Sequence, residues 1–105
     1  MSWQEEVKEL EKRINLIKKM GGKEKVKRQH DAGRTTVRER IDALLDKDSF
    51  KEIGNLTGVS EYDQNGKLKS LIAANSVIGH GKINNNPTVI YGDDFTIRGG
   101  AADAA

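Results

Sequence analysis

Tyr91-Gly92-Asp93-Asp94-Phe95-Thr96-Ile97-Arg98-Gly99-Gly100-Ala101-Ala102-Asp103 is the stretch around which this chain is read. Its aromatic and β-branched residues predict a strand, its glycine pair a turn, and its alanines the first residues of a helix. A strand-to-helix turn is where α/β enzymes often place ligand-binding backbone. Two glycines before a helix start let N–H groups face a ligand, and Arg98 adds positive charge. The same residues also fit ordinary turn geometry, and they form neither a P-loop nor a Gly-x-Gly-x-x-Gly fingerprint. Asp93 and Asp94 are adjacent on extended chain, so their carboxylates point to opposite faces. They read as turn and capping residues, with Asp94 or Thr96 bonding the turn's backbone amides.

Moving back from that stretch, Thr88-Val89-Ile90-Tyr91 predicts the return strand of a hairpin, with Pro87 at its start. Asn84-Asn85-Asn86 is the tight turn, since asparagine tolerates positive φ. Ser76 to Ile83 is the outgoing strand, and Gly79 and Gly81 within it let a neighbouring backbone come close. Residues 54–75 are ambiguous. Asn65-Gly66 is a turn signal, and Leu68 to Ala74 fits either a strand or a loop. Phe50-Lys51-Glu52-Ile53 alternates as a half-buried strand does.

The first half of the chain predicts helices. Trp3, Val7, Leu10, Ile14 and Ile17 lie on one narrow face of a helix over residues 2–20. Ser2 and Glu5 have capping-box spacing, and Gly21 stands at the C′ position. Acids crowd the first half of this helix and bases the second, which complements its dipole. Such a stripe needs a partner. Residues 23–31 predict a short basic helix anchored by Val26 and ended by Gly33. Thr36-Val37-Arg38-Glu39 is a second capping box, opening a helix with Val37, Ile41, Leu44 and Leu45 on one face. Asp46 to Ser49 is its stop.

The chain has 105 residues with no cysteine, which excludes disulfides and thiolate metal sites and is compatible with the cytoplasm. No apolar run has the length of a spanning helix, and the acidic start is no signal peptide. Net charge is +2, but residues 18–40 carry nine bases against three acids. That excess suits a polyanion, a phosphate-bearing ligand or an acidic partner, and equally a solvated helix face. Aromatic residues for base stacking are absent there, which counts against binding of single-stranded nucleic acid. His30 and His80 have no metal-ligand spacing, and no serine sits in a nucleophile elbow.

Several ordered motifs then carry a resemblance. They are Met20-Gly21-Gly22, Arg28-Gln29-His30, Gly33-Arg34, Thr36 to Asp42, Leu44-Leu45-Asp46 and Ser49 to Gly54. Gly79 to Ile83, Pro87 to Ile90 and Asp94 to Gly100 follow in the same order. Together they resemble the start of the carboxyltransferase (β) subunit of biotin-dependent acyl-CoA carboxylases, of the propionyl-CoA and acetyl-CoA carboxylase type. The resemblance is weakest over residues 56–75.

It implies an α+β segment, with helices over 1–49 and a hairpin or meander over 50–105 that opens a crotonase-like fold. It implies transfer of a carboxyl group from carboxybiotin to an acyl-CoA, with biotin on a separate carrier domain and no metal in this chain. Backbone oxyanion holes do such chemistry. In the resembled family they lie beyond this stretch, so no catalytic residue is carried over, and an inactive N-terminal piece is expected. Arg98, Gly99, Gly100, Arg34 and Arg38 are the candidates for the CoA side. The implied partners are the rest of the carboxyltransferase subunit, the biotin carboxylase and carrier components, and further copies in a homo-oligomer. A free-standing basic helical binding or assembly module without catalysis is the alternative. Either way, the unpartnered helix stripe and hairpin edge predict a chain that is marginal or oligomeric when isolated.

Overall fold

A computed structural model of the chain describes residues 2–100. The helix expected from Ala101 onward lies outside the described residues. Three helices come first: α1 (Gln4–Lys18), α2 (Lys23–Asp31) and α3 (Val37–Leu44). Five strands follow: β1 (Lys51–Ile53), β2 (Gly58–Tyr62), β3 (Leu68–Ala73), β4 (Ser76–Ile83) and β5 (Asn86–Asp93). A 3₁₀ turn, Arg98–Gly100, closes the described chain. The class is therefore α+β, as expected. β1, β4 and β5 form one antiparallel sheet in that order, and β2 and β3 form a separate hairpin.

The β4–β5 hairpin turns at Asn84 (φ 50°) and Asn85 (φ 67°), a two-residue loop of left-handed residues whose twist suits the flanking strands. The Asp46 carboxylate accepts from both of their amides, at 3.0 and 2.7 Å. The Asp46 N–H donates to the Lys82 carbonyl at 2.7 Å, so the end of α3 is tied to the hairpin tip. Gly79 permits the sheet to close on β1. A Cβ there would lie 2.4 Å from both the Lys51 carbonyl oxygen and Phe50 Cε1.

Two apolar clusters hold the layers together. Val37, Ile41 and Leu45 pack on Val77, with Phe50, Ile83 and Ile90 around them, and join α3 to the sheet. Ile17 packs on Leu71, Ala73 and Ile97, and joins the end of α1 to β3. The Thr36–Glu39 capping box forms as expected. Glu39 N donates to Thr36 Oγ1 at 3.3 Å, and Thr36 N donates back to Glu39 Oε1 at 3.3 Å.

Three expectations need correction. The Ser2–Glu5 capping box does not form. The helix starts at Gln4, which makes Glu5 its second residue, one short of the reciprocating position, and Ser2 Oγ accepts only from Gln4 N at 3.3 Å. The α1 stripe, by contrast, is left without a partner over most of its length, as expected: it is buried at Ile17, where β3 packs on it, while Trp3, Val7 and Leu10 are exposed. The left-handed residue after α1 is Met20 (φ 54°), not Gly21. Leu44 is exposed while Leu45 is buried, because the chain leaves the helix there and swings Leu45 inward with extended backbone (ψ 153°). Residues 58–62, left open by the sequence, are a strand exposed along its whole length, so no alternation marks it.

Candidate functional site

The site is built on the stretch after β5. Asp94 is 1% exposed. Its N–H donates to the Asn75 carbonyl at 2.7 Å, and its Oδ1 accepts from Thr96 N at 2.9 Å and Thr96 Oγ1 at 2.6 Å. The Thr96 hydroxyl in turn accepts from Gly21 N at 2.9 Å. One carboxylate oxygen and one hydroxyl thus clasp the turn to the end of α1. Only glycine fits at 21, since a Cβ would sit 2.0 Å from the Thr96 carbonyl oxygen. The two carboxylates point to opposite faces as expected, but only Asp94 is a turn residue: Asp93 ends β5, is exposed and accepts from the Tyr91 hydroxyl at 2.6 Å. That bond holds the Tyr91 phenol above its usual range, since ionisation would lose the donor and add a charge beside the carboxylate.

Beyond Thr96 the chain makes a left-handed run, with Arg98, Gly99 and Gly100 at φ 50°, 60° and 77°. For Arg98 this conformation costs about 1–2 kcal/mol. Strain of this kind persists only where the surroundings over-determine it, which here means the Asp94–Thr96 clasp just upstream. Phe95 projects from the same turn and is 55% exposed. The Arg34 guanidinium lies over its ring, 5.8 Å from the centroid, and Gly99 and Gly100 flank it closely enough that added Cβ atoms would touch it at 3.9 Å.

In front of this turn, a cleft of about 430 Å³ separates the α2–α3 connection from β5. Gln29, Arg34, Thr36 and Arg40 form one wall, and Tyr91, Asp93 and Phe95 the other. Arg40 is oriented by Thr35, whose hydroxyl accepts from Arg40 Nε at 3.0 Å. The connection is fixed from behind by His30 and Glu39, 2.6 Å apart, and this contact and Thr36 hold the Glu39 carboxyl below its usual range.

The five residues expected on the CoA side fall in three places. Arg34, Gly99 and Gly100 meet around Phe95. Arg98 borders a second, largely apolar groove beside Leu16, Met20 and Ile97. Arg38 joins α3 to β1 through Glu52 at 2.8 Å, with both side chains mostly buried, and is not part of the cleft wall. Tyr91, Phe95 and Arg40 were not singled out from the sequence. The available signal was the alternation Tyr91, Asp93, Phe95, which puts three functional groups on one side of an extended segment.

The donor set, two guanidiniums on one wall facing two aromatic rings on the other, suits an anionic ligand with a stacking ring. It does not suit a neutral ureido ring, so no step is assigned to biotin in this cleft. Among the described residues no three His, Cys, Asp or Glu side chains come together as for a metal ion, and no helix is long and apolar enough to cross a membrane.

Comparison with known proteins bears on the same residues. The family model for the carboxyl transferase domain matches residues 28–105, which includes every cleft residue named above. The propionyl-CoA carboxylase carboxyltransferase subunit of Haloferax mediterranei is 29% identical over 96% of this chain and 20% of its own length. The methylmalonyl-CoA carboxyltransferase 12S subunit of Propionibacterium freudenreichii subsp. shermanii is 35% identical over 91% of this chain and 18% of its own. The methylmalonyl-CoA decarboxylase subunit alpha of Veillonella parvula is 31% identical over 93% and 19%. A transcarboxylase 12S structure, described as a hexamer with methylmalonyl-CoA and methylmalonic acid bound, superposes with a TM-score of 0.81 at 31% identity. It covers 97% of this chain and 20% of that one. The chain thus spans about a fifth of the length of these relatives.

Proposed function

This chain belongs to the carboxyl transferase domain family, and from that premise we propose that it forms part of a carboxyltransferase that moves a carboxyl group from carboxybiotin to an acyl-CoA. The observation that carries the reading is the family match over residues 28–105, which takes in the whole cleft. In this reading, residues 1–49 are a helical segment and residues 50–105 open the carboxyltransferase domain. The chain supplies one wall of the acyl-CoA site, and the oxyanion donors come from the rest of the carboxyltransferase fold. Taken alone, the chain binds the CoA moiety without turning it over.

The chemistry of the wall supports a division of roles. Arg34 and Arg40 attract the phosphates, and Gly99 and Gly100, flanking Phe95 without side chains, let the ligand come close to its ring, while Arg98 faces the second groove. Phe95 and Tyr91 give ring faces for the adenine, and Phe95 holds Arg34 in position. Arg38 is left to its ion pair with Glu52. Biotin enters on its carrier domain, and a biotin carboxylase component and further copies of the subunit are the partners. A cytoplasmic location goes with this reading, in keeping with the cysteine-free sequence.

Calorimetric titration of the chain with CoA and with pantetheine tests it. CoA is expected to bind and pantetheine not, with Arg34→Ala and Phe95→Ala each weakening CoA about tenfold, the scale of one charge-assisted or stacking contact. CoA affinity unchanged in both variants, or equal binding of pantetheine, refutes the assignment of the cleft.

A further inference from the structure

Two surfaces outside the cleft match each other in apolar character and charge. The first is the free end of α1. Trp3, Val7 and Leu10 are 69%, 48% and 45% exposed and follow the four-and-three spacing of a helix that anchors in a groove. Around them, residues 4–11 carry four acids, Glu5, Glu6, Glu9 and Glu11, and one base, Lys8. The second surface is a groove of about 440 Å³ at the opposite end of the same helix. Leu16, Met20, Val59, Leu71, Ile72 and Ile97 line it, and Lys19 and Lys25 border it. Val59 and Ile72 oppose each other across the β2–β3 hairpin, and both stay more than half exposed.

We propose that the free end of α1 from one copy of this chain seats in this groove of a second copy. The stripe and the groove lie at opposite ends of one rigid 15-residue helix, so no copy can fill its own groove. The stripe is apolar with acidic flanks, and the groove is apolar with basic borders, so the two surfaces complement each other in both respects. The contact joins two different patches, which makes it heterologous: each copy can give its stripe and receive another's. The proposal stands on these two surfaces and is independent of the CoA reading.

Sedimentation velocity of the 105-residue chain over a concentration series tests it. The chain is expected to associate as concentration rises, and more weakly as salt rises, since charges at the border are screened. Val7→Glu with Leu10→Glu spoils the stripe, and Ile72→Glu spoils the groove. These positions are exposed, so far-UV circular dichroism should stay unchanged, while each variant alone sediments as a monomer. An equimolar mixture should recover a dimer, because one variant keeps its groove and the other its stripe. A wild-type chain that is monomeric throughout overturns the proposal, and leaves the groove to the remainder of a carboxyltransferase fold. So does association that either variant leaves intact, or a mixture that stays monomeric.

Discussion

Replacing Asp94 by alanine removes the acceptor on which the closing turn depends. Two hydrogen bonds are lost at once, from Thr96 N and Thr96 Oγ1, and both donors are buried. A hydrogen bond to a charged group contributes about 1.5–3 kcal/mol, and the two share one oxygen, so a joint loss of about 3 kcal/mol is the reasonable figure. For a domain of this size each kcal/mol moves Tm by roughly 4–8 °C, so Asp94→Ala should lower it by about 12–24 °C. Urea unfolding followed by far-UV circular dichroism should show a lower midpoint with an unchanged m-value. Asp94→Asn keeps an acceptor of nearly the same shape and should lose only about 1 kcal/mol. An unfolding free energy for Asp94→Ala within about 0.5 kcal/mol of wild type, the ordinary range of surface changes, would refute the clasp as a source of stability.

Two further outcomes follow from the same region. Gly21→Ala should destabilise by more than about 2 kcal/mol, since the added Cβ meets the fixed Thr96 carbonyl rather than a mobile side chain; an unfolding free energy within about 0.5 kcal/mol of wild type would contradict this. The two tyrosines should titrate apart when followed at ~295 nm, because Arg13 lowers Tyr62 and Asp93 raises Tyr91 from the usual 10.0. Since Tyr91 is raised in the folded chain, its bond to Asp93 stabilises below pH 10.0 and the contribution is lost as pH climbs through the raised value. Asp93→Asn should bring Tyr91 back down, and an unaltered titration would show that the carboxylate is not the cause.

Where a local rule decided the structure, the amino-acid sequence was readable. Thr36 and Glu39 satisfy helix-end amides within four residues of each other, and Asn84 and Asn85 carry their own tolerance of positive φ. Reading failed where a neighbour distant in the chain decides. β2 has no buried face, so its residues show no period. Gly21 looks like a helix stop, yet its small size answers to Thr96, far along the chain. Arg38 and Arg34 look alike in a basic run. Glu52 claims the first and Phe95 the second, and no spacing rule announces either pairing. The resemblance to a carboxyltransferase bridged these gaps at the level of the family, but Tyr91, Phe95 and Arg40 needed the α2–α3 connection laid against β5 before they formed a wall.

The bond from Gly21 to Thr96 spans 75 positions of the chain. A contact of that separation raises the mean sequence separation of the chain's contacts, and the loop must be closed before the contact contributes. Synthesis at about 5–20 residues per second puts roughly 4–15 s between the appearance of its two halves. During that interval the end of α1 exists without the residues that secure it, and Ile17 has no Ile97 to pack against. Of the elements described, α1 is therefore made before the others and is among the last to be locked in place.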